Sequence, residues 1–221
     1  MPGAFRGDGD AYDRVDTMAL TGETAFMGDA AVRSRLTPEE YLAFERSSEQ
    51  RHAFADGEIF AMSGGTREHS LIAVNIASEL SLALQDRPFE VHASDMRVKI
   101  QPTGRYLYPD ASVVCGRPLF EDATRDTLLN PVLIVEVLSD SSEAYDRGDK
   151  FAQYRTIESL KEYVLASQKE ARIEHFRRLP DGSWLLRIFQ RGDRVGLDST
   201  GIELSVDRAY LKVFDPPAAE G

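Results

Sequence analysis

The sequence predicts an α/β (α+β) fold: one domain built on a central mixed β-sheet. Three observations carry that prediction. Elements read from hydrophobic periodicity follow the order helix, hairpin, helix, strands, helix, strands. The run Val132–Leu138 is apolar throughout except for Glu136, as expected of a strand buried in the middle of a sheet. A chain of 221 residues, 42% hydrophobic, is long enough to bury a substantial core in one domain, although length alone also admits two small ones.

Residues 1–34 are rich in Gly, Ala and Asp and have no sustained periodicity, which predicts a mobile N-terminal extension. Order is expected from 35 to 214, with 215–221 as a C-terminal tail. Thr37 has the chemistry of an N-cap, Pro38 suits the first helical position and Glu40 completes a capping box, so a short helix should run to about Arg46. Asp56-Gly57 between apolar runs signals a hairpin. Ser63-Gly-Gly65 breaks the chain before a long helix, roughly Thr66 to Gln85. There His69, Ile72, Ala73, Ile76, Leu80, Ala83 and Leu84 form one stripe, and Pro88 lies beyond the helix end.

Strand-like patterns follow at Phe89–His92, Asp95–Gln101 and Arg105–Cys115. In the last, Tyr106, Tyr108, Asp110 and Ser112 share one face by alternation. Pro109 suggests an edge or a bulge, because proline donates nothing to a central ladder. Residues 116–130 read as a polar loop with one short helical turn. Asp146–Ile157 reads as a helix, and Glu162–Ser167, Ala171–Arg178 and Ser183–Gln190 as strands, with Pro180-Asp-Gly182 turning between the last two. Val206–Tyr210 reads as a short helix. There is no internal repeat.

Composition excludes several function classes. A lone cysteine, Cys115, expected to be a buried thiol at a strand end, rules out an internal disulfide and a cysteine-rich zinc site. No run approaches the length of a membrane span, and no basic segment leads into an apolar one at the N-terminus, so a cytoplasmic protein is expected. Four histidines without helical metal-ligand spacing argue against a zinc hydrolase. Neither a phosphate-binding Gly-Lys-Ser/Thr loop, a dinucleotide fingerprint nor a Gly-X-Ser-X-Gly elbow is present. The net charge of −11, of which −4 lies in residues 1–31, opposes tight nonspecific binding to nucleic acid, which usually needs a basic face. Divalent cations can offset that charge by neutralising carboxylates and phosphate together.

Three residues point to chemistry. Glu136 sits in an apolar run, where an unpartnered carboxylate is costly. Asp110 follows Pro109 on an earlier strand-like segment, and Lys150 lies on the following helix. If the two strands are neighbours, both carboxylates face one site. Mg²⁺ or Mn²⁺ prefers oxygen ligands and keeps several waters, so two or three carboxylates suffice. Lys150 would then position or activate water or offset developing charge. This is the minimum set for metal-assisted phosphodiester cleavage. Each member also has an ordinary reading: Pro-Asp as a turn, Glu136 as a satisfied buried glutamate, and Asp146 with Lys150 as a helix ion pair four residues apart. His69, near the apolar stripe, is either a hydrogen-bonded core histidine or a cleft residue that contacts phosphate, helps hold metal or moves a proton. Asp95 is either a third metal ligand or a turn aspartate. Glu58 is either a supporting residue or an exposed hairpin glutamate, and Tyr154, one turn beyond Lys150, reads as packing.

Taken together, Leu36-Thr-Pro-Glu-Glu-Tyr41, Asp56-Gly-Glu-Ile59, His69 opening a long helix, Tyr108-Pro-Asp-Ala-Ser-Val-Val114, Ile134-Val-Glu-Val-Leu-Ser139 and Asp146 through Lys150 to Tyr154 resemble the Uma-type restriction endonuclease family. That family lies within the PD-(D/E)XK nuclease superfamily, and the resemblance covers about residues 36–213. It implies a restriction-endonuclease-like mixed β-sheet core flanked by helices, and divalent-metal nuclease chemistry. By the same resemblance Asp110 fills the motif aspartate and Glu136 the acidic residue before X-Lys. The motif lysine would fall at Leu138, so Lys150 from the next helix takes its place. The expectation is a metal-dependent endonuclease acting on DNA, with Asp110, Glu136, Lys150 and His69 catalytic, Asp110, Glu136 and Asp95 on the metal, and a homodimer allowing double-strand cutting. Three rivals stand beside it: a nuclease-fold binding or regulatory module with little catalysis, a hydrolase of small phosphorylated substrates, and a stability-only role for the trio, which predicts that Asp110, Glu136 and Lys150 are not clustered in space. A partner subunit supplying a basic DNA-binding surface is a further expectation.

Overall fold

A computed structural model describes residues 35–62, 64–139 and 142–214, with the backbone of Asp13–Arg14. Apart from that pair, which forms a two-residue strand (β1), the expected extension 1–34 and tail 215–221 lie outside the described residues.

The first helix, α1 (Pro38–Ser47), starts where the sequence places it. Glu40 N donates to Thr37 Oγ1 and Thr37 N to Glu40 Oε2, the two bonds of a capping box. β2 (His52–Ala55) and β3 (Glu58–Ala61) form the hairpin. Its turn holds Asp56 at φ 54° and Gly57 at φ 85°, the double positive φ that Asp-Gly tolerates best. A Cβ at Gly57 would lie 2.4 Å from Arg35 Cβ, so close approach requires the glycine as much as torsion does. α2 (Arg67–Leu84) is capped by Thr66 and buries Ile72, Ile76, Leu80 and Leu84, each contributing about 1.5–3 kcal/mol by removal from water.

β4 (Phe89–Ala93), β5 (Arg97–Ile100), β6 (Arg105–Leu107), β7 (Ala111–Cys115), β8 (Thr127–Leu128) and β9 (Leu133–Leu138) follow. Three short helical stretches then run end to end: α3 (Glu143–Tyr145), a π-helical turn (Asp146–Lys150) and α4 (Phe151–Tyr154). β10 (Glu162–Ser167), β11 (Arg172–Arg178), β12 (Trp184–Gln190), β13 (Arg194–Leu197), β14 (Ile202–Ser205) and α5 (Val206–Ala209) are the last elements among the described residues.

Among the described residues the strands form two six-stranded sheets and a separate β13–β14 hairpin. The central sheet has the order β12-β11-β10-β9-β7-β4 and is mixed: β9 and β10 run parallel while the other pairs are antiparallel. β9 is buried at all six positions. On one face α2, β14 and α5 cover Val113, Leu133, Val135 and Val137; on the other, Ile134 and Leu138 pack with Val98, Ile100 and Leu107 of the second sheet and with Tyr154. A strand covered on both faces needs an unbroken apolar run, which is what the sequence carries. No helix among the described residues is long and apolar enough to cross a membrane.

Three expectations are corrected. The single strand Arg105–Cys115 is two strands in different sheets: β6 pairs with β2 and β5, β7 with β4 and β9. Pro109 stands between them, where the ladder stops for lack of an N–H. The expected helical turn within 116–130 is absent among the described residues; β8 pairs with β5, and Leu128 bridges Phe120. Cys115 is exposed, not buried. The sequence reading also missed β13, β14 and the π-helical turn.

Candidate active site

The site assembles where β9 meets the two neighbouring segments that carry charge. Glu136 falls on the Ile134/Leu138 side of β9 and is 3% exposed. Its burial is compensated by two donors: Lys150 Nζ lies 2.8 Å from Oε1, and Tyr154 OH donates to the same oxygen at 3.0 Å. Burial is the largest influence on its proton affinity. Together with the negative Asp146 and Asp110 it outweighs Lys150 and pushes the carboxyl pKa up to about 8.

Lys150 closes the π-helical turn, from which it reaches Glu136. Asp146, Lys150 and Tyr154 are spaced by four, so they share one face of the helical segment, and that face meets the sheet. Lys150 Nζ is also 3.1 Å from Asp146 Oδ1, and all three side chains are buried. Tyr163 of β10 fixes the start of the turn by donating from its hydroxyl to Asp146 O at 3.1 Å. π-Turns inside helices occur frequently at functional sites.

Asp110 is placed by the break between the sheets. The β7–β9 ladder ends at Ala111↔Val135, leaving Val137 N without a strand partner on that side. Asp110 Oδ2 accepts its hydrogen bond at 2.7 Å. The carboxylate therefore takes the place of a strand carbonyl as the acceptor for Val137 N. His69 stands in the first turn of α2, its N–H bonded to the Thr66 cap at 3.1 Å. Its Nε2 lies 3.4 Å from Asp110 Oδ2. The adjacent carboxylate raises the imidazole pKa above its ordinary value, against the opposing effect of burial. Gly65 leaves room for the ring: a Cβ there would sit 2.9 Å from His69 Nδ1.

His69, Asp110, Glu136, Asp146 and Lys150 line one open cleft of about 400 Å³, joined at its rim by Arg51. Four residues expected to be catalytic are thus brought together. Asp95 is not: it lies outside the cleft lining, its side chain 92% exposed and bonded to Arg51 at 2.9 Å. Glu58 pairs with Ala55 across the hairpin and is outside the lining too. Tyr154, expected only to pack, bonds to Glu136. Sequence reasoning passed over Asp146, whose spacing to Lys150 looks like a surface ion pair, and Arg51. The polar series 146, 150, 154 was the available signal for the first.

The donor set suits a hard cation held partly by water. Among the described residues, hydrogen bonds engage Asp110 Oδ2 and Glu136 Oε1 but not Asp110 Oδ1 or Glu136 Oε2. No group of three or more His, Cys, Asp or Glu among the described residues is arranged to hold a metal ion. Two carboxylates with waters match Mg²⁺-type binding, which seldom uses an all-protein cage.

Comparison with known proteins bears on this geometry. Residues 38–207 match the model of the Uma2 family, described as "Putative restriction endonuclease". The chain is 39% identical over 176 residues to the uncharacterised protein slr1290 of Synechocystis sp., covering 80% of this chain and 92% of that one. It is 39% identical over 151 residues to the uncharacterised protein sll1609 of the same organism, covering 68% and 85%. It is similar in structure to a "putative nuclease belonging to DUF820" from Anabaena variabilis, with a TM-score of 0.67, 16% identity, and coverage of 81% of this chain and 99% of that one. The likeness is one of fold: mixed sheets flanked by helices, arranged as in that nuclease-like neighbour.

Proposed function

Because the chain belongs to the Uma2 family of restriction endonuclease-like proteins, we propose that it hydrolyses DNA phosphodiester bonds in the Asp110–Glu136 cleft with Mg²⁺ or Mn²⁺. One observation carries the reading: two carboxylates twenty-six residues apart share a cleft with a lysine bonded to one of them. Asp110 and Glu136 would hold the cation through their cleft-side oxygens. When bound, the cation supplies Lewis-acid polarisation of the phosphoryl group and a more acidic water. Val137 N fixes Asp110, while Lys150 and Tyr154 fix Glu136, so neither carboxylate has to reorganise during reaction. Lys150 adds positive charge next to the reacting phosphate. His69, with its proton affinity raised by Asp110, holds or releases a proton at the cleft wall.

The test is cleavage of plasmid and single-stranded DNA with Mn²⁺ or Mg²⁺ by the wild type, Asp110→Ala and Glu136→Ala. Metal-dependent cutting lost in both variants supports the reading. Equal cutting by all three, or none by the wild type, removes it. In the latter case a nuclease-fold binding module becomes the better reading. Its supporting observation is the burial of Lys150 between Glu136 and Asp146, which ties the ammonium to structural partners.

A further inference from the structure

Resting on the nuclease reading, we propose that Arg51 grips a backbone phosphate of the substrate strand at the cleft rim, with Asp95 serving as its tether. The charge distribution of the cleft motivates the assignment. Asp110, Glu136 and Asp146 face a polyanionic substrate with carboxylates. Of the permanent cations among the described lining residues, Lys150 is 4% exposed and held by two of those carboxylates, whereas Arg51 is 44% exposed. Arg51 is therefore the cation that a strand meets before it reaches the carboxylates.

Its guanidinium is also prepared for the task. All its described hydrogen bonds leave from Nη1, to Ser94 O at 2.7 Å, Ser94 Oγ at 3.2 Å and Asp95 Oδ1 at 2.9 Å. Among the described residues Nε and Nη2 make none. The guanidinium carbon lies 5.9 Å from the centre of the Tyr108 ring. Tyr108 is itself fixed, donating to Glu45 Oε1 at 2.7 Å and accepting from Arg97 Nη1 at 3.1 Å. One corner of the fork is thus anchored and the opposite edge is open. A planar guanidinium presents two parallel N–H groups to two phosphate oxygens, which an ammonium does not. Because Tyr108 is two residues from Asp110, the surface that supports Arg51 is continuous with the proposed cation site.

Two measurements test this together. The first is cleavage kinetics on a labelled DNA duplex with Mn²⁺, for wild type, Arg51→Ala and Arg51→Lys. The second is equilibrium binding of the same duplex by the cleavage-deficient Asp110→Asn variant, with and without Arg51→Ala, over a range of salt. Arg51→Ala should raise KM and weaken binding about tenfold and lower the salt slope of binding by about one. Arg51→Lys should restore the slope but only part of the affinity. Unchanged KM, affinity and slope in a folded Arg51→Ala protein would overturn the phosphate contact and leave the nuclease reading intact. Absence of both cutting and binding in the wild type overturns both.

Discussion

Glu136 is a residue whose local environment works against its charge. Lys150 and Tyr154 compensate it with a charge and a hydrogen bond, whereas the Asp146 carboxylate opposes it. Glu136→Gln keeps the shape and removes a charge whose burial is unfavourable. This substitution is expected to abolish cutting while raising the melting temperature by roughly 2–4 °C at a pH above the raised pKa; calorimetry and the cleavage assay check the two halves separately. Lys150→Ala should do the reverse to stability. It leaves two buried carboxylates uncompensated, and loss of one member of a buried pair costs about 3–5 kcal/mol, readable as a fall in the denaturation midpoint. Nothing in the sequence around Lys150 distinguishes it from a solvated helix lysine. Its burial depends on the sheet that its helix covers, not on its neighbours in the chain.

At the scale of elements, the site depends on how two segments are broken. The first break is Pro109, which parts β6 from β7 and frees Asp110 to bond to Val137. The second is the π-helical turn, which sets Asp146 and Lys150 against Glu136. A different element, α1, is fastened through charge. Arg46 makes paired bonds to Asp126, which also takes Arg97 at 2.6 Å. Arg46 and then Arg97 hold the Asp126 carboxyl below the usual carboxylate range. A depressed folded-state pKa contributes stability above the ordinary carboxylate range, and that contribution is lost as pH falls through the range and below it. Asp126→Asn should therefore cost about 2 kcal/mol at neutral pH, with the gap to wild type closing in acid. Urea titrations at several pH values measure this. The α1 cap and the α2 stripe were legible because both are set within a turn or two of chain. The division into two sheets was not, since alternation along 105–115 continues through the break and only pairing partners reveal it.

For the whole molecule, the proposed reading together with the net charge of −11 would make the cation part of substrate recognition as well as chemistry. Mn²⁺ that binds the folded chain should raise its melting temperature by mass action, by about 2.7 kcal/mol of stability when the ion is a hundredfold above its Kd. Asp110→Asn should remove most of that rise, as seen in thermal scans with and without the ion.

By itself the sequence determined the elements bounded by local chemistry: the capping box at Thr37, the Asp56-Gly57 turn, the α2 stripe and the fully apolar strand around Glu136. It also marked Asp110, Glu136 and Lys150 as residues out of keeping with their surroundings or joined by resemblance. The tertiary structure decided which charges meet. It turned Asp95 to Arg51, brought Asp146 and Tyr154 to the Glu136 cluster and set His69 beside Asp110. The physical reason is range. Caps, turns and stripes are satisfied within a few residues, whereas desolvation and ion pairing depend on groups that only strand pairing and helix packing bring together.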